Sequence, residues 1–192
     1  MLKDYDIRSI LINKINKQNL SHNFRIIQEL SVCDGEARVD LAVANGRLIG
    51  YEIKSDADSL DRLENQIHCY NKTFDRIIIV VGEKFKNEIS MHVPDHWGIY
   101  VINEKPNSLH SFSIVRPAKA NPNIDKGSLL SLLWRDEIYT ILKSKNISGL
   151  SKLNIRNLRS IAASNLSKSE IRNYTRDVLK FRTEWRTNGT HK

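Results

Sequence analysis

The sequence predicts an α/β core followed by a C-terminal helical extension. Three observations carry this. Two runs of alternating apolar and polar residues, 37–43 and 48–54, flank Asn45-Gly46, the pattern of a β-hairpin. A continuous β-branched run, RIIIVV over 76–81, has the length and composition of a fully buried strand. Beyond Pro117 and Pro122 the apolar spacing turns helical.

The elements follow in order. Ile7, Leu11 and Ile15 recur every four residues, with Ile10 beside them, and predict a helix from Asp4 to about Lys17. Phe24 to Leu30 is a short β-prone run, and Asp34-Gly35 closes it with a turn. The hairpin comes next. Ser59 is placed to cap a helix from Leu60 to about Thr73, with Leu63, Ile67 and Tyr70 on one face. Asp56 and Asp58 read as turn and capping residues ahead of it. RIIIVV and WGIYVI (97–102) are strands, and the stretch from about 117 to 127 is a linker. Three helices then follow, over 128–145, 151–163 and 167–186, the last opened by the capping box Ser167-Lys168-Ser169-Glu170. Residues 1–118 form the predicted core and 119–192 the extension.

The hairpin can be tested by parity. A two-residue Asn45-Gly46 loop would set Asp40 across from Tyr51 and split the apolar faces. A three-residue loop, Ala44-Asn45-Gly46, sets Asp40 across from Gly50. Val39, Leu41, Val43, Ile49, Tyr51 and Ile53 then share one face, and Asp40, Glu52 and Lys54 share the other. This register predicts a bulge at Gly46 with that glycine in the left-handed region. Two neighbouring carboxylates repel unless a hard divalent cation lies between them. Such an ion polarises a phosphate and acidifies a bound water. Lys54 would orient that water or offset developing charge, and Gly50 would leave room for the ion.

Arg38-Val39-Asp40, eleven residues, then Glu52-Ile53-Lys54 resembles the PD-(D/E)XK nuclease superfamily. GYEIKSDADSLDRLENQIHCY is similar to one bacterial branch of it. The name-giving Pro is replaced by Val39. The resemblance covers about residues 4–102 and implies a restriction-endonuclease-like core: helix, three-stranded antiparallel meander, helix, and further strands in a mixed sheet. It implies a metal-dependent nuclease hydrolysing phosphodiester bonds, with Mg²⁺ or Mn²⁺ as cofactor. Asp40 and Glu52 would hold the metal, with Glu29 as an added acid. Lys54 would assist catalysis, and Gln66, four residues before Tyr70 on the following helix, would touch the water or a phosphate. Many such enzymes pair subunits, so a homodimer is implied as well. The alternative is a non-catalytic nucleic-acid-binding or protein-interaction module on a degenerate nuclease fold.

Charge points to the partner. The net charge is +8, and from Leu150 onward ten Lys/Arg face three acids, so +7 of it lies in the last 43 residues. Such a split suggests a segment facing a polyanion. Lys168, Arg172, Arg176 and Lys180 recur every four residues and form a stripe able to follow a phosphate backbone, DNA in the first place. The sequence alone does not separate DNA from RNA. Ile171, Tyr174, Val178 and Phe181 lie on the other side, and Trp134 and Trp185 read as packing residues. Cys33 and Cys69, far apart in sequence, suit a reducing cytoplasm better than a disulfide framework. No run of about 18 apolar residues predicts a membrane span. No secretory signal pattern is seen at the N-terminus. Phosphate-binding glycine motifs are absent, and Pro94 between His92 and His96 speaks against a helical His pair.

Overall fold

The computed structural model describes residues 3–21, 23–104 and 110–185. Six strands form one sheet in the order β1-β2-β3-β4-β5-β6: Arg25–Val32, Ala37–Ala44, Leu48–Lys54, Arg76–Val81, Gly98–Glu104 and His110–Arg116. β1, β2 and β3 are antiparallel neighbours, β4 runs parallel to β3 and β5 to β4, and β6 returns antiparallel. The architecture is thus an α/β core with a mixed sheet flanked by helices. RIIIVV is the β4 strand, with Ile77, Ile79, Val80 and Val81 fully buried. The sixth strand has no clear local signal, because HSFSIVR sits in a Pro- and Asn-rich stretch. Its pairing with β5 forms it, and Phe112 meets Tyr100 edge-on at 5.2 Å between ring centroids.

Helix α1 (Asp4–Gln18) covers one face. Its Ile7, Leu11 and Ile15 bury against Leu41, Val43, Tyr51, Ile53, Ile78 and Val80, each such side chain contributing about 2 kcal/mol. Helix α2 (Leu63–Thr73) covers the other face. Its Leu63, Cys69 and Tyr70, with Phe74 just beyond, pack on Ile77, Ile79, Val81 and Val101. It starts later than predicted: Ser59 bonds Asp61, and Arg62 takes the cap position. Asp58 instead caps the turn, accepting from the Ser55 N–H and hydroxyl at 2.7 and 2.6 Å. A short helix, α3 (Ile89–His92), precedes β5.

The predicted helix over 128–145 is two: α4 (Lys126–Ser131) and α5 (Arg135–Ser144). Trp134 is extended at the break, and its N–H donates to Glu137 at 2.7 Å, so a new helix opens inside a continuous apolar run. α6 (Ile155–Asn165) and α7 (Lys168–Phe181) follow. The Ser167/Glu170 capping box is present as predicted. These four helices enclose a cluster of their own around Leu129, Leu133, Ile138, Leu142, Leu158 and Ile171. Leu132 and Leu179 instead join the α2-side cluster, so the extension is packed onto the sheet.

The hairpin keeps its predicted parity but not its register. The loop has three residues, Asn45-Gly46-Arg47, with Gly46 at φ +88° and the Asn45 N–H on the Arg47 carbonyl at 3.1 Å. Ala44 faces Leu48, and Ala42, not Asp40, faces Gly50. The whole ladder is thus displaced by two residues, and it runs without the bulge expected at Gly46. Gly50 also serves a different end. A Cβ there would come within 2.9 Å of the Phe74 ring, so the glycine makes room for that ring rather than for an ion.

One parity prediction fails. Val39 leaves the side of Leu41 and Val43 and packs with Ala42 and Ala44 on the α2 side. The switch falls where β1 and β2 face each other at Glu29 and Asp40. Gln28 pairs with Leu41 and Leu30 with Val39, while the intervening pair is skipped and Glu29 lies at φ 55°. A non-glycine residue in that region costs of order 1–3 kcal/mol and needs local compensation.

Candidate functional site

Asp40 sits at this switch, just past the last β2–β3 pair, Leu41 with Tyr51. There its side chain takes over from the ladder: Oδ2 accepts the Ile53 N–H at 2.7 Å. Its other oxygen accepts Arg8 Nη2 at 2.8 Å, and its carbonyl accepts Arg8 Nη1 at 3.1 Å. Arg8 comes from α1 and also pairs with Glu29 at 2.8 Å and Asp4 at 3.2 Å. The second Glu29 oxygen pairs with Arg38 at 2.8 Å. Two arginines thus compensate the strained Glu29. The Asp40 carboxyl lies above the ordinary carboxylate range because burial outweighs what the Ile53 N–H and Arg8 lower.

Glu52 points to the other face and is 3% exposed. Its Oε1 meets Lys54 Nζ at 3.1 Å and accepts Gln66 Nε2 at 2.5 Å. Its Oε2 lies 2.7 Å from the Tyr70 hydroxyl, which also donates to the Arg38 carbonyl at 2.8 Å. Burial, then the charge of Asp40, pushes Glu52 up to about 7 against the pull of Lys54 and Tyr70. A hydroxyl has one proton. When Glu52 is protonated, Tyr70 can donate to Arg38 and accept from Glu52, so the neutral acid satisfies both. Burial and Glu52 raise the Tyr70 hydroxyl in turn. Gln66 Oε1 is buried with no hydrogen-bond partner among the described residues.

Glu52, Lys54 and Gln66 meet on the α2 side, while Asp40 and Glu29 meet Arg8 on the α1 side, so the single face expected for Asp40, Glu52 and Lys54 is not formed. Arg8, Arg38 and Tyr70 belong to these two networks too. The only signal for Arg8 was its i, i+4 spacing from Asp4, and for Arg38 its place beside Asp40. The arrangement suits a network of internal ion pairs. Every carboxylate oxygen of Asp40, Glu52 and Glu29 already faces a cation or an N–H or O–H donor. Among the described residues no three His, Cys, Asp or Glu side chains are grouped to hold a metal ion. A cation at Asp40 would have to displace Arg8.

The basic stripe divides. Lys168 is exposed and Lys180 half-buried. Arg172 and Arg176 turn inward to the buried Asp75, at 2.6 and 2.7 Å. Trp134 and Trp185 flank Arg182, whose guanidinium lies 4.2 and 4.8 Å from their ring centroids.

Residues 1–188 match the family described as Bacteriophage P4 protein cII. Protein cII of Enterobacteria phage P4 is 31% identical over 182 residues, 95% of this chain and 68% of that protein. Among solved structures, Pyrococcus furiosus SfsA in complex with Ca²⁺ aligns with 60% of this chain and 65% of its own, at 17% identity and a TM-score of 0.38. That likeness is too loose to bear on function.

These findings correct the sequence-based expectation. The kinship lies with phage P4 protein cII along nearly the whole chain, not with a bacterial branch of PD-(D/E)XK nucleases. The acids read as a catalytic metal site are paired with Arg8, Arg38 and Lys54, and among the described residues no three His, Cys, Asp or Glu side chains are grouped to hold a metal ion. The reading as a phosphodiester hydrolase does not stand. Neither does the assignment of Mg²⁺ or Mn²⁺ as cofactor at Asp40, Glu52 and Glu29, with catalysis through Lys54 and Gln66.

Proposed function

On the premise that the chain belongs to the bacteriophage P4 protein cII family, we propose that it is a non-catalytic nucleic-acid-binding module, with DNA as its partner. In this reading residues 1–118 are a restriction-endonuclease-like scaffold and 119–192 a basic helical extension. The order helix, antiparallel meander, helix, parallel strand supports the scaffold. The hydrogen-bonded, ion-paired acids around Asp40 and Glu52 then belong to the scaffold and not to a reaction centre. No helix among the described residues is long and apolar enough to cross a membrane.

The observation that carries the reading is the +7 surplus from Leu150 onward, with Lys152, Arg156 and Lys168 on the surface. Cations displayed this way bind a polyanion by releasing its counterions. Arg172 and Arg176 are poor probes of that role because they also hold Asp75. The clean test is the triple variant Lys152→Gln, Arg156→Gln, Lys168→Gln, assayed on a labelled duplex by fluorescence anisotropy over a salt series. Wild type binds with a steep salt dependence. The variant binds more weakly, and its slope falls by roughly 0.9 for each phosphate that is no longer neutralised. Equal affinity and slope in both would sink the reading. So would duplex cleavage with magnesium that Glu52→Ala abolishes. The reading also includes a homodimer, for which light scattering would return twice the chain mass.

A further inference from the structure

Away from Asp40 and Glu52, the last turn of α1, the entry to β1 and the end of α7 meet around an open cavity. Its volume is about 350 Å³, and Asn16, Phe24, Arg25, Ile26 and Lys180 line it. The lining is of three kinds. Arg25 and Lys180 bring two positive charges, and no acid is among the lining residues. Phe24 and Ile26 bring apolar surface, each half-buried because it also packs against the α1-side cluster. Asn16, exposed on α1, brings a carboxamide that can donate and accept.

The two cations are not equally loose. Arg25 donates from Nη1 to the Arg182 carbonyl, and its guanidinium lies 5.9 Å from the Trp185 ring centroid. Among the described residues one of its N–H groups is engaged and the others remain as donors in a held plane, which lowers the entropic cost of gripping an anion. Lys180 Nζ lies 5.1 Å from the ring centroid of Phe181, itself 58% exposed. Aromatic rings beside cations are the composition of a surface that stacks bases while it holds phosphates.

We infer that this cavity takes one unpaired nucleotide of the bound nucleic acid, its phosphate between Arg25 and Lys180 and its base against Phe24 and Ile26. The inference rests on the nucleic-acid reading above. A duplex backbone asks for a row of exposed cations and keeps its bases stacked inside. An apolar wall beside two cations in a concavity serves a base that has left the stack. The volume is at the small end of the roughly 300–1,000 Å³ typical of ligand pockets, room for one nucleotide rather than a strand.

The test compares a blunt duplex with the same duplex carrying a three-nucleotide single-stranded overhang, by anisotropy at one salt concentration. Wild type binds the overhang about tenfold tighter, equivalent to about 1.4 kcal/mol, as expected for stacking of one base on an aromatic ring. Lys180→Gln removes one charge. Phe24→Leu removes the stacking face but keeps apolar volume for the α1-side cluster, and its melting temperature verifies folding. Each variant brings the ratio of the two affinities towards one. Equal wild-type binding to both duplexes overturns the cavity and leaves the nucleic-acid reading standing. A preference that survives in both folded variants overturns it as well. If wild type binds neither duplex, the nucleic-acid reading fails and the cavity inference with it.

Discussion

Asp75 and Glu52 are both 3% exposed, yet their surroundings oppose each other. Asp75, at the head of β4, faces two guanidiniums: Arg172 on Oδ1 at 2.6 Å and Arg176 on Oδ2 at 2.7 Å. The Leu48 N–H adds a bond at 2.5 Å. Glu52 has one ammonium, two neutral donors and the negative charge of Asp40 nearby. One acid ties the helical extension to the sheet. The other is poised between its protonation states near neutral pH. Burial alone thus does not say what an acid does; the count and sign of its neighbours do.

The largest expected effect comes from breaking the better-compensated acid. Asp75→Ala removes the partner of two arginines and leaves the Leu48 N–H without its acceptor. Removing one member of a buried pair costs about 3–5 kcal/mol, and the 37% exposure of the Arg172 side chain places the loss at the lower end. Urea denaturation reads it. A loss under about 1 kcal/mol would reduce the clamp to the worth of a surface pair.

Glu52 should give an effect of comparable span that depends on pH and is expressed in full only at its acid end. Its folded pKa of about 7 stands above its ordinary 4.5, so between these values the folded state holds the proton more tightly than the unfolded chain. Its contribution to stability is therefore greatest at low pH, falls as pH rises from 4.5 to 7, and is lost above that. The span is on the order of 3 kcal/mol. Glu52→Gln should flatten the stability curve across this window. An unchanged slope in the variant would place the titration elsewhere.

Much of the fold was legible because its signals are local. The i, i+4 spacing of Ile7, Leu11 and Ile15, the β-branched run at 76–81 and the Ser167/Glu170 box each specify an element within a few residues. Parity also brought Glu52 and Lys54 together on one face, but not Asp40. The failures share a different cause. A loop one residue further along displaced the hairpin ladder by two. The switch at Glu29 and Asp40 needs both strands at once, so neither strand alone announces it. β6 exists by pairing with β5. Arg8 with Asp40, and Arg172 with Asp75, lie 32 and 97 residues apart in sequence. The same acids and lysine that spell a metal site can spell an ion-pair network. The arginines that decide between them are not part of the motif.

Arg8→Gln asks which of the two acids Asp40 resembles. Among the described residues Arg8 is the one guanidinium on Asp40, and it also serves Glu29 and Asp4. Asp40 already stands above its ordinary value through burial, and Arg8 pulls it down. Without Arg8 it rises further, so the variant loses more stability at high pH than at low pH. The expected loss at pH 7 is about 1 kcal/mol, since Glu29 and Asp4 are partly solvated and only Asp40 is left poorly compensated. As the pH falls and Asp40 takes up its proton, the gap to wild type narrows. A loss equal at both pH values would mean that Arg8 acts through packing alone. The charge of Asp40 would then play no part in what Arg8 contributes.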